Sequence, residues 1–159
     1  MKRFILIALS AICLFASACK KDKQTKQDEM YLTATKDNAK WVTNWHTFGE
    51  VDSAKNFIIL GSKGEEHLRI RLTTNSLNQI IMDAAKTELH ITIGLDAVAA
   101  RYVLDNSATN TVNITNYDAK SVIMEGNFQL KFKKLSSLDG FPATVTFTDG
   151  KFKVSKAYD

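Results

Sequence analysis

The sequence predicts an all-β fold, an antiparallel β-sandwich of about eight or nine strands, with a β-barrel as the alternative. Two observations carry that prediction. Apolar and polar residues alternate with period two in one segment after another, as half-buried strands require. Turn-forming residues separate these segments at short intervals, the spacing of sandwiches and barrels. A third observation concerns what precedes the fold, since the first thirty residues carry none of this alternation.

The N-terminus reads "MKRFILIALSAICLFASAC". Lys2 and Arg3 give a positive start, Phe4 to Phe15 form an apolar run, and Ala16-Ser17-Ala18 supply the small residues of an export signal. As a helix the run would span roughly 18 Å, short of a ~30 Å hydrocarbon core. The cysteine directly behind the small residues decides the type. "ASAC" looks like a bacterial lipobox, although Ala16 stands where leucine is usual. Cys19 would then be lipidated and become the first mature residue, after a lipoprotein signal peptide of residues 1–18. Several acyl chains there make membrane attachment effectively permanent. Ile12 is too bulky for Cys13 to compete. With Cys13 removed and Cys19 lipidated, neither of the two cysteines is left for a disulfide, a thiol nucleophile or a metal site.

The charge balance follows from this processing. The whole chain carries a formal net charge of +4, but Lys2 and Arg3 leave with the signal. Four more lysines lie in "KKDKQTKQDE", residues 20–29, a polar stretch expected to act as a disordered tether. Residues 30–159 are nearly neutral and make one domain. A basic footprint for nucleic acid belongs in the domain itself, so nucleic acid is not an expected partner. Lys20 lacks the aspartate that retains some lipoproteins in the inner membrane. Outer-membrane attachment through Cys19 is therefore the expectation, with the leaflet left open.

Within the domain, "HLRIRLT" points Leu68, Ile70 and Leu72 to one face, and "ELHITIG" does the same with Leu89, Ile91 and Ile93. "TVNITNYD" places Val112 and Ile114 inward. "NFIILGS" and "ARYVLD" read as more buried strands. "SLNQIIMDAAK", residues 76–86, suits either a strand or a short helix. In "SVIMEGNFQLKFKK", Val122, Met124, Gly126, Phe128, Leu130 and Phe132 share a face, and Gly126 marks a bend or bulge in a long strand. The C-terminal "ATVTFTDGKFKVS" reads as a hairpin turning at Asp149-Gly150, a pair that tolerates the positive φ of a two-residue turn. That register sets Phe147 opposite Phe152 and Val145 opposite Val154, with every Thr and Lys on the other face.

The order of "TATKDNAKW", "NTVNITNYD", "MEGNFQLKF" and "VTFTDGKF" resembles a family of small, uncharacterised Bacteroidota lipoproteins that carry a domain of unknown function. The resemblance covers most of residues 30–155, with Asn127 where threonine is usual. It implies a β-rich envelope domain and supplies no activity.

Chemistry is sparse. His67 and His90 fall outward on their strands, and the phase of His46 is open. No metal-binding motif accompanies them, so neither a metal nor another cofactor is expected. A composite site would need Glu88, His90 and His67 to converge from neighbouring strands. No nucleophile motif or phosphate loop occurs, and no catalytic residue is assigned. Trp41 and Trp45 would share one face of an extended strand and stack on sugar rings, although burial is the common fate of tryptophan; with Val42, His46 and Phe48 on the other face, either the strand breaks near Asn44 or one aromatic set is exposed. Lys131, Lys133, Lys151 and Lys153 would line one outer face if the 126–133 strand paired with the hairpin, a surface for anionic glycan or headgroups. The same lysines would also discourage edge pairing. Ser53, in Asp52-Ser53-Ala54, resembles an O-glycosylation site of envelope proteins, and Asn113-Ile114-Thr115 is a sequon within a strand.

These features point to a membrane-anchored lipoprotein of the cell envelope, a non-enzymatic binding or structural module whose ligand is an envelope glycan or a protein partner. The competing expectation is a glycan hydrolase with two carboxylates from different strands, roughly 5–9 Å apart.

Overall fold

A computed structural model describes residues 29–52, 56–94 and 97–156. The signal segment, Cys19, most of the tether and Ser53 lie outside the described residues. Eleven strands follow in chain order: β1 (Tyr31–Lys36), β2 (Ala39–Val42), β3 (Trp45–Asp52), β4 (Asn56–Lys63), β5 (Glu66–Thr74), β6 (Ile80–Met82), β7 (Glu88–Ile93), β8 (Ala97–Leu104), β9 (Thr111–Asp118), β10 (Ile123–Ser137) and β11 (Thr144–Ser155). They form one antiparallel sheet in the order β2-β1-β11-β10-β8-β7-β5-β4-β3, with β6 also on β5 and β9 also on β10. The all-β, sandwich-like expectation is met, with more strands than the eight or nine anticipated and without closure into a barrel. The sheet folds over on itself. Its two edges, β2 and β3, are joined by Thr43-Asn44, where the Thr43 amide donates to Leu32 and the Asn44 amide to Ser62. Along the seam, Phe48 and Lys156 form a single parallel bridge.

The core lies between the two halves of the folded sheet. Leu68, Ile70 and Leu72 on β5, Phe128, Leu130 and Phe132 on β10, and Phe147, Phe152 and Val154 on β11 are all buried there. Period-two burial along these strands matches the alternation read from the sequence. Residues 76–86 resolve as the short strand β6 and a 3₁₀ turn over Ala84–Lys86. The turn before β6 is fixed by Asn75, whose side-chain oxygen accepts from the amides of Leu77 and Gln79.

The C-terminal hairpin is corrected. β11 runs unbroken through Asp149-Gly150, and the register of both its neighbours slips there by one residue. Asp149, at φ 52°, is the extra residue of a β-bulge. Parity explains the misreading. A two-residue turn and a one-residue bulge both switch which alternate residues face inward, so both put Val145, Phe147, Phe152 and Val154 on the same side. Two-sided pairing of β11 with β1 and β10 selects the bulge. The two-residue turn with both φ positive occurs instead at Asp37-Asn38 (47° and 67°), between β1 and β2. Asp149→Val is expected to cost about 1–2 kcal/mol, the usual penalty of a Cβ in the left-handed region, while Asp149→Gly is neutral or better. Urea unfolding of the two variants checks this.

A second bulge lies where the glycine of β10 suggested one. The β9–β10 register slips between Glu125 and Gly126, and the extra residue, Thr115, sits on β9. Past it the phase inverts, so Tyr117 rather than Asn116 turns inward and packs against Phe48 and Phe57.

Candidate functional site

The outer face of the β3–β4–β5–β7–β8–β10 half carries a row of directly opposed residues. Trp45 pairs with Ser62, Ser62 with His67, His67 with His90, His90 with Arg101, and Arg101 with Ser136. Directly paired residues share a face of the sheet, so this is one line of side chains crossing six strands. From Trp45 to Arg101 it covers about 19 Å at 4.7–4.9 Å per strand. Trp45 is 52% exposed. It borders a shallow depression of about 230 Å³ whose lining includes Ser62, His67, Arg69, His90 and Thr92.

Hydrogen bonds order this surface. His67 Nδ1 shares a bond with Ser62 Oγ at 2.9 Å, and its Nε2 one with Thr92 Oγ1 at 3.2 Å. Glu88 is the electrostatic hub. Arg69 Nη1 donates to its Oε1 at 2.9 Å, and Arg101 donates to Oε2 through Nη2 at 2.9 Å and Nε at 3.2 Å. His90 Nε2 lies 3.0 Å from the same oxygen. That nitrogen is buried, and no geometrically aligned hydrogen bond satisfies it. Burial pushes the Glu88 carboxyl up, and the Arg101 hydrogen bonds with His90 close by more than offset this, holding it below its ordinary 4.5. A lowered carboxylate pKa stabilises the fold above that range, and the contribution is lost as pH falls through the lower, folded-state value. Glu88→Gln is therefore expected to flatten the acid limb of a stability-versus-pH curve, measured by thermal melts between neutral and acid pH.

Glu88, His90 and His67 thus do converge from neighbouring strands. Their chemistry is not that of a metal centre, because Glu88 is committed to two guanidinium groups. Among the described residues no group of three or more His, Cys, Asp or Glu is placed to hold an ion. Ser62 and His67 have the spacing of a nucleophile and its base. However, the second nitrogen of His67 meets a hydroxyl rather than a carboxylate, and β4 is paired on both sides. The strand amides that could stabilise an oxyanion are spent in the ladders.

The other sequence candidates are dispersed. Trp41 is 1% exposed. Its ring meets Phe147 edge-on at 5.2 Å, and its Nε1 donates to Glu66 Oε2 at 2.6 Å. The chain turns at Thr43-Asn44 between the two tryptophans, so they form no shared platform. His46 sits on the opposite face of β3 from Trp45, half-buried, and burial lowers its pKa. The four lysines do share one outer face of β10 and β11, but as two separate pairs rather than one cluster. Lys131 and Lys133 lie opposite Thr146 and Thr144, whereas Lys151 and Lys153 lie opposite Asn127 and Glu125. Because β11 does not turn back, the nearest members of the two pairs are about 13 Å apart along β10, four residues at ~3.3 Å each. Lys153 is paired with Glu125 at 3.2 Å, and Lys131 lies 3.8 Å from Asp105.

Ser62, Arg69, Thr92 and Arg101 were not singled out by the sequence as members of this site. Their outward phase was readable, but their neighbours across the sheet were not. No protein-family model, curated protein or solved structure matches the chain.

Proposed function

We infer that this chain is a lipid-anchored protein of the outer membrane that binds carbohydrate without transforming it, on the outer row from Trp45 to Arg101. The observation that carries the reading is Trp45, a half-exposed aromatic ring at the end of an ordered line of hydrogen-bonding side chains. An indole face stacks on the apolar face of a sugar ring. The remaining donors of Arg69 and Arg101, with Ser62 and Thr92, supply partners for hydroxyls at intervals along the sheet. The depression is open and shallow, suited to a chain lying across it. The anchor at Cys19 and the envelope setting rest on the export signal, its "ASAC" terminus and the resemblance to Bacteroidota lipoproteins.

The two-carboxylate hydrolase draws less support. None of the residues lining the depression is acidic, and Glu88 beside it is engaged by two arginines.

The test is a titration of residues 20–159, which retain every core residue, with neutral oligosaccharides: N-acetylglucosamine, xylose, mannose and glucose oligomers. It is read by tryptophan fluorescence. Of the two tryptophans in the chain, only Trp45 is placed to respond. The expected result is a saturable shift that persists at high salt and disappears in Trp45→Ala. Absence of saturation with all four series, or binding that Trp45→Ala leaves intact, overturns the reading.

A further inference from the structure

Two strands of the sheet, β5 and β10, fork between different neighbours. β5 pairs with β7 through Glu66 to Arg69 and with β6 through Leu72 to Thr74. β10 pairs with β8 through Phe132 to Ser137 and with β9 through Ile123 to Gln129. On one side of the forks β7 and β8 pair and the sheet is continuous. On the other, β6 lies beside β9 with no ladder joining them. The sheet parts there over a cavity of about 310 Å³, lined by Glu50, Phe57, Asn78, Ile80, Tyr117 and others. That volume falls in the range of small-ligand pockets.

The lining is mainly apolar. The Phe57 and Tyr117 rings meet at 5.3 Å, and both pack on Phe48 behind them. Beside the lining residues in sequence stand three exposed aliphatic side chains: Val51 at 41%, Leu77 at 74% and Ile81 at 43% exposure. The charge at the rim is balanced, since Lys156 Nζ lies 3.6 Å from Glu50 Oε2.

The position of the chain's entry into the fold selects the occupant. Tyr117 pairs with Met124, and Met124 with Val154. Tyr31, the first residue of β1, pairs with Lys153. The chain therefore enters β1 at the level of Tyr117, at the cavity's end of the sheet and three strands from β9. Eleven residues separate Tyr31 from Cys19, and fully extended they reach at most about 40 Å. A lipid on Cys19 would keep this end of the sheet within about that distance of the bilayer. The carbohydrate row lies elsewhere: His67 is seven residues from Thr74 along β5, about 23 Å.

We propose that the cavity between β6 and β9 binds one acyl chain of a membrane lipid. The cavity itself stands on its lining. The membrane as source of the chain rests on the lipid-anchor reading above.

The test uses residues 20–159 titrated with dodecanoic acid in an isothermal calorimeter. The expected result is a saturable isotherm of one chain per protein, little changed by salt. It should be lost in Ala119→Trp, which fills the opening from an exposed position, and unaffected by Trp45→Ala. No saturable binding, or binding that Ala119→Trp leaves unchanged, overturns the acyl-chain site. The anchor is read separately, from the mass of the N-terminal peptide of the full chain purified from membranes. An unlipidated peptide together with dodecanoate binding overturns the membrane as the source and leaves the cavity's ligand class standing.

Discussion

Trp41→Ala is expected to lower the unfolding free energy by about 3–5 kcal/mol, the cost of emptying a large buried aromatic site. The ring fills the space against Phe147, and its loss also removes the indole donor from Glu66, whose other partner is Lys36. A marginally stable domain would lose most of its reserve. Trp45→Ala is expected to change stability by less than about 1 kcal/mol, because half of that side chain is in water and no core contact depends on it. Urea unfolding followed by circular dichroism separates the two. Equal losses from both variants would mean that Trp45 is a packing residue, and the carbohydrate site would lose its anchor.

A methyl group at Gly126 is the second substitution with a large expected effect. The backbone carbonyl of Asn113 and the Phe152 ring both occupy the space a Cβ would need. A side chain at the far end of a rotamer can give way, but the carbonyl is held in the β9–β10 ladder beside the Thr115 bulge. Gly126→Ala is expected to cost about 3 kcal/mol, the upper end of overpacking penalties, and to loosen β9 first. Hydrogen exchange at Val112 to Tyr117 should accelerate more than exchange in β4 and β5. Gly150→Ala makes an informative comparison. There the obstacle is the Phe128 ring, 2.6 Å away, and a ring can shift, so the loss should be smaller. A Gly126→Ala variant as stable as the parent would mean that the two bulged strands are not packed at this spacing.

Much of the fold was legible along the chain. Leu68, Ile70 and Leu72 alternate without interruption, and burial follows them residue for residue. Legibility ended at the bulges. In β9, Val112 and Ile114 face inward as read, but Thr115 inserts and the inward position passes to Tyr117. In β11 the Asp149 bulge produces the same sorting of side chains as a hairpin, so local alternation has two solutions. The stretch around Trp41 and Trp45 is apolar on both faces, which left two readings, a break near Asn44 or an exposed aromatic; the structure shows both, a change of direction at Thr43-Asn44 and an exposed Trp45.

Local alternation was enough for the all-β class, for the inward residues Leu68, Ile70 and Leu72 of β5 and Met124 to Phe132 of β10, and for the outward phase of His67, His90 and Glu88, whereas Ile93, read as inward, is half exposed. Those properties depend on neighbours two residues apart, which a single strand already contains. Pairing across the folded sheet placed Trp45, Ser62, His67, His90 and Arg101 in one row, divided the lysines into two pairs and parted the sheet between β6 and β9. Each of these depends on register between strands distant in the chain. A slip of one residue there reverses every face, and register is set by packing over the whole core.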